Sequence, residues 1–134
     1  MTGEELALRR AIMASFAATG APPPVADGPA LRGLERAHVV VLAPAGEDGV
    51  GIHMAHPFAG HRDGTQVTAP GGGWWGSCAW DGLGIVAALG LADADVRSGA
   101  ITLRVRGGGL QDAGDAVFHV AVPARRWWED IVFT

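Results

Sequence analysis

Leu6, Leu8, Ile12, Met13 and Phe16 recur at helical spacing behind Thr2-Gly-Glu-Glu5, and Gly20 follows them. The spacing predicts an amphipathic helix. Thr2 and Glu5 form a capping box, in which the hydroxyl and the carboxylate satisfy each other's backbone donors, and Gly20 is the stop. Pro22-Pro23-Pro24 is a stiff connector that cannot be helical throughout. Asp27 is the expected N-cap of a second helix, with Pro29 in its first turn and Leu31 and Leu34 on its apolar face. Val39 to Leu42 reads as a strand, Gly46-Glu-Asp-Gly49 as a turn, and Val50 to Met54 as the returning strand.

Pro57 to Gly73 is rich in Gly, Pro and Thr and reads as a connection, with a short strand at Gln66-Val-Thr68. Ser77 is the expected N-cap of a helix from Cys78 to Leu89, ended by Gly90. Ile101 to Val105 alternates with Thr102 and Arg104, Gly107-Gly-Gly109 turns, and Ala116 to Val122 predicts another strand. A short helix opens at Pro123. The fold class expected is α+β. Residues 1–56 form a short winged-helix-like N-terminal part, and residues 57–134 a small mixed β-sheet with a packed helix that carries Cys78.

Length adds little to this picture, since 134 residues suit one domain. No apolar run reaches the ~18 residues that a membrane span needs, and Glu4 and Glu5 stand where a leader would be basic. The expected location is the cytoplasm, without a membrane partner. All ten basic residues are arginine and the net charge is −4. A nucleic-acid partner is not expected, because it would require a basic face. In the second helix Arg32 and Arg36 stand against Glu35 and Asp27, which suits a structural cap better than a recognition helix.

Cys78 is the one cysteine, so neither an intrachain disulfide nor a Cys-pair zinc site can form. With Ser77 as N-cap, Cys78 would occupy the first helical position, where free N–H groups and the helix dipole favour a thiolate. Asp81 lies one turn along on the same face. That pair makes a nucleophile or soft-metal ligand beside a proton donor. By spacing alone, a small buried apolar cysteine and an ordinary first-turn acid are the better expectation. Trp74, Trp75 and Trp80 flank the cysteine closely and would keep it dry, and Trp128 would join the same wall or bury area at a core edge. His53, His56 and His61 invite a metal reading. On a strand, however, His53 and His56 would point to opposite faces, so core or gate histidines are the better expectation. His119 reads as a strand histidine.

Three stretches together resemble the organomercurial lyase (alkylmercury lyase) family. They are Ile52-His-Met-Ala-His-Pro-Phe58, Trp74-Trp-Gly-Ser-Cys-Ala-Trp-Asp-Gly-Leu-Gly-Ile85, and His119 through Arg125-Arg-Trp-Trp-Glu-Asp-Ile to Thr134. The resemblance runs from about residue 45 onward, and the N-terminal helices match the family's winged-helix-like segment more loosely. It implies protonolysis of a carbon–mercury bond. Cys78 would bind mercury, the substrate's soft metal, as a thiolate, and Asp81 would deliver the proton to the departing carbon. His56, Phe58, Trp74, Trp75, Trp80 and Trp128 would line the small-molecule pocket, with no cofactor. The family's second thiolate would fall after Phe133-Thr134, so within residues 1–134 Cys78 is alone. A divergent activity on another small molecule fits the same residues. So does a protein that only binds a soft metal or ligand, or regulates through its N-terminal helices. A homodimer that brings two Cys78 side chains together stays open.

Overall fold

The computed structural model describes residues 1–43, 50–120 and 122–131. The first helix, α1 (Gly3–Thr19), begins as its sequence requires. Glu5 N–H donates to the Thr2 hydroxyl at 3.1 Å and Thr2 N–H to the Glu5 carboxylate at 2.7 Å. It ends at Gly20, which is left-handed and donates its N–H to the Phe16 carbonyl. Its buried face is Ile12 and Phe16, and the Phe16 ring stacks on Phe58 at 5.3 Å.

The second helix, α2 (Pro29–Arg36), buries Leu31 and Leu34. Its N-cap is Gly28, not the expected Asp27. The Asp27 carboxylate instead takes a paired contact from the Arg32 guanidinium at 2.7 and 2.8 Å, and Arg32 also reaches Glu35. That arginine is thus matched by one carboxylate of its own helix and one just before it.

The strand expected over 39–42 is cut to β1 (Val41–Leu42). The reason is local: His38 and Val39 turn their N–H groups back onto the Glu35 and Leu34 carbonyls, closing α2 and withdrawing those donors from strand pairing. The turn expected at Gly46–Gly49 lies outside the described residues. Strand β2 (Ile52–Ala55) pairs antiparallel with β1 and with β3 (Phe58–Ala59). The β2–β3 connection is only His56-Pro57, joined by a cis peptide, and the division expected after residue 56 falls inside this hairpin.

A second sheet holds five strands in the order β5-β4-β6-β7-β8. They are β4 (Thr65–Ala69), β5 (Gly72–Gly76), β6 (Ala94–Ser98), β7 (Ile101–Arg106) and β8 (Gly109–Gln111). Helix α3 (Ala79–Ala88) crosses from β5 to β6 and packs on β4, β5 and β6. The class is α+β. Every pairing among the described residues is antiparallel, which corrects the expected mixed sheet: its one long crossover, α3, returns the chain antiparallel to β4.

Thr65 and Val67 of β4, Ala94 and Val96 of β6, and Val105 of β7 point inward beneath α3. One apolar cluster joins Val67, Ala94, Val96 and Val105 to Ile12, Phe16, Leu31 and Leu34 of the N-terminal helices and to Phe58. Residues 116–120 form no strand, contrary to expectation. The free edge of β7 is already taken by β8 through the tight turn at Gly107-Gly108, and the new edge is three residues long. Ala124–Glu129 then forms a short 3-10 helix, as the sequence suggested. No helix among the described residues is long and apolar enough to cross a membrane.

Candidate functional site

Cys78 is itself the N-cap of α3, in extended backbone conformation, and Ser77 stands one residue outside the helix. This corrects the expected register by one position. Asp81 becomes the third helical residue, and its Oδ2 accepts the Ser77 N–H at 3.2 Å while the Cys78 thiol donates to it at 3.6 Å. The other oxygen, Oδ1, lies 3.4 Å from His56 Nδ1. Three titratable side chains therefore form a row in the order Cys78, Asp81, His56, with the carboxyl in the middle.

The sequence builds this row by letting α3 sit close to its neighbours. A Cβ at Gly82 would fall 2.4 Å from Val96 Cγ1 and 2.9 Å from Thr65 Cγ2, so only glycine lets the first turn rest on β4 and β6. Two residues on, a Cβ at Gly84 would meet the Pro57 Cβ at 3.2 Å, so the tip of the β2–β3 hairpin lies against the helix. That contact carries the adjacent His56 to Asp81. The Asp81 side chain is 11% exposed, whereas His56 is 44% exposed and Cys78 opens to solvent.

The electrostatics overturn one expectation. The Cys78 thiol is pushed up from its ordinary value, not down. Although the residue reaches the surface, partial withdrawal from water penalises the thiolate most, and the Asp81 carboxylate beside it repels the negative form. The N–H groups of Asp81 and Trp80 at the helix start act the other way and lose. His56 is held above its usual range, chiefly by its hydrogen bond to Asp81; burial opposes this and the Asp81 charge adds to it.

The tryptophan wall expected around the cysteine is dispersed by the fold. Trp74 is buried toward α1, its indole N–H donating to the Ala17 carbonyl at 3.1 Å. Trp75, next along the strand, takes the opposite sheet face opposite Gln66. Trp80 is 65% exposed and meets Phe118 edge-on at 5.2 Å. Trp128 stacks on His38 at 4.1 Å. Phe58 belongs to the core against Phe16. Of the expected pocket residues, His56 is the one that a side-chain hydrogen bond ties to the Cys78–Asp81 pair. A groove of about 460 Å³ lies elsewhere, between α3 and the β7–β8 hairpin, lined by Leu83, Val86, Val105 and Leu110 among others.

His53 stacks on His61 at 4.3 Å, and His61 Nδ1 bonds Asp63. Burial is the main reason that His53 is held below its usual range. No group of three or more His, Cys, Asp or Glu side chains among the described residues is arranged to hold a metal ion. Sequence reasoning missed the His56–Asp81 bond and the Phe118–Trp80 contact. Residues 25 apart carry no local signal that they meet.

Fold and site together define an α+β domain with a surface thiol hydrogen-bonded to a buried carboxyl. Compared with known protein families, curated proteins and solved structures, the chain matches none.

Proposed function

We propose that the chain cleaves carbon–mercury bonds by protonolysis, in the manner of the organomercurial lyase family that it resembles. The observation that carries the reading is the 3.6 Å contact between the Cys78 thiol and Asp81 Oδ2. A soft organomercury cation forms a sulfur–mercury bond and displaces the thiol proton, and Asp81 is the nearest acceptor. The carboxyl, now protonated, gives that proton to carbon as the carbon–mercury bond breaks and its electron pair stays on carbon. The products are a hydrocarbon and mercury(II) on sulfur. Solution thiolates then lift off the mercury, and Cys78 regains a proton from water. A divergent substrate whose leaving atom also needs a proton would use the same pair.

A thiol held above its ordinary value is a poor spontaneous nucleophile at neutral pH but still a strong site for a metal that displaces protons. This favours, as the second reading, a protein that captures a soft metal at Cys78 without turnover. Phenylmercury with excess solution thiol separates the two. Benzene released over several turnovers and lost in Cys78→Ser supports the lyase. Mercury bound at one per chain without benzene supports capture alone.

A further inference from the structure

Asp81 divides its two oxygens. Oδ2 faces Cys78 and the Ser77 N–H, and Oδ1 faces His56 Nδ1, which comes from a different sheet through a two-residue hairpin tip. Nothing in the protonolytic reading uses His56, yet the hairpin's approach to α3 at Gly84 brings it to the one carboxyl that the chemistry needs. We propose that His56 is the positioning residue for Asp81: it holds Oδ1 so that Oδ2 addresses the sulfur, and its imidazolium form balances the carboxylate left when the proton has gone to carbon.

This rests on the protonolytic reading and adds its control. A carboxyl that is free to rotate about its terminal torsion spends part of its time with neither oxygen at the sulfur, and small misplacements of a reacting group are costly. The charge argument has a definite sign. After Asp81 has taken the thiol proton, a neighbouring imidazolium favours release of that proton to carbon, whereas neutral imidazole does not. The carboxylate that faces His56 from α3 is Asp81, 3.4 Å from Nδ1. With 44% of its side chain exposed, His56 exchanges protons with water directly.

The test compares wild type, His56→Ala and His56→Asn in first-turnover benzene release from phenylmercury between about pH 6 and about pH 9. Wild-type release should fall as pH rises past the ordinary histidine range. His56→Ala should be about tenfold slower at the acid end and lack that fall. His56→Asn, whose amide can donate near the Nδ1 position, should recover much of the acid-end rate and also lack the fall. Equal losses in both variants with the wild-type pH profile preserved would overturn the proposal.

A second measurement keeps this independent of the lyase reading. The His56 ring is titrated by NMR in wild type and Asp81→Asn without substrate. Its titration should move down in Asp81→Asn, and an unchanged titration would refute the contact whatever the enzyme does. Wild type that yields no benzene while His56 still responds to Asp81→Asn would sink the lyase reading and, with it, the role in proton delivery, leaving the contact as structure.

Discussion

Among the described residues two histidine–aspartate pairs share the same contact, Nδ1 to Oδ1, and differ in how the chain brings them together. His61 and Asp63 are two residues apart, and Asp63 is 87% exposed. His56 and Asp81 are 25 residues apart, joined across two sheets and a helix, with the carboxyl almost out of water. The first pair is a consequence of chain proximity, and its carboxylate lies in solvent, where such contacts contribute little. The second exists because Gly82 and Gly84 let α3 approach β4, β6 and Pro57 at once. It places a carboxyl between an imidazole and a thiol. A local pair can form in a peptide, whereas this one needs the folded core.

The largest expected effect breaks the second pair at its centre. Asp81→Asn should slow hydrocarbon release by roughly a hundredfold or more, the scale of a lost general acid, and turnover that survives it would remove Asp81 as proton donor. The same variant should shift Cys78 alkylation to lower pH, because the carboxylate that opposes the thiolate is gone.

Next comes Gly82→Ala, which lifts α3 from the sheet. Overpacking against Val96 and Thr65 should cost about 1–3 kcal/mol in denaturant unfolding. It should also loosen His56 from Asp81 while leaving the His61–Asp63 contact intact. Unchanged stability would mean that the helix is not seated as tightly as the close approach requires.

A smaller effect follows from linkage. The His56 value is raised in the folded chain. Its pair therefore adds stability that is fully present below the ordinary histidine value, near 6.5. That stability is lost as pH rises through the folded value. Unfolding midpoints across that window should show the loss in wild type and not in His56→Asn. The smallest effect is expected for Asp63→Asn, which should leave hydrocarbon release within about twofold and stability within about 0.5 kcal/mol. A larger loss would mean that the local pair is tied to the site.

The two tryptophan pairs teach the same lesson. As dipeptides Trp74-Trp75 and Trp127-Trp128 are identical. Trp74 became core because its strand passes under the end of α1, where the Ala17 carbonyl takes its indole N–H. Trp128, in a short 3-10 helix, found the His38 ring and stays 38% exposed. Their destinations were not readable from the dipeptides, since burial depends on what faces a side chain across the fold.

Some features were determined by sequence alone because their causes are local. The capping box at Thr2 and Glu5, the stop at Gly20, the apolar face of α1, the helix after Cys78 and the strand at Ile101 all follow from neighbours within a few residues. The Cys78–Asp81 contact belongs here too, since one helical turn sets it. Strands β5 and β6 escaped that reading. Gly72-Gly-Trp-Trp-Gly76 has a loop's composition and pairs because β4 supplies a partner; Ala94–Ser98 is short and half polar, and is a strand because β4 and β7 flank it. Only the tertiary structure decided that the thiol's value rises, that the tryptophans disperse, and that His56 meets Asp81. Desolvation and side-chain contact are properties of the space between elements, and no sequence window contains that space.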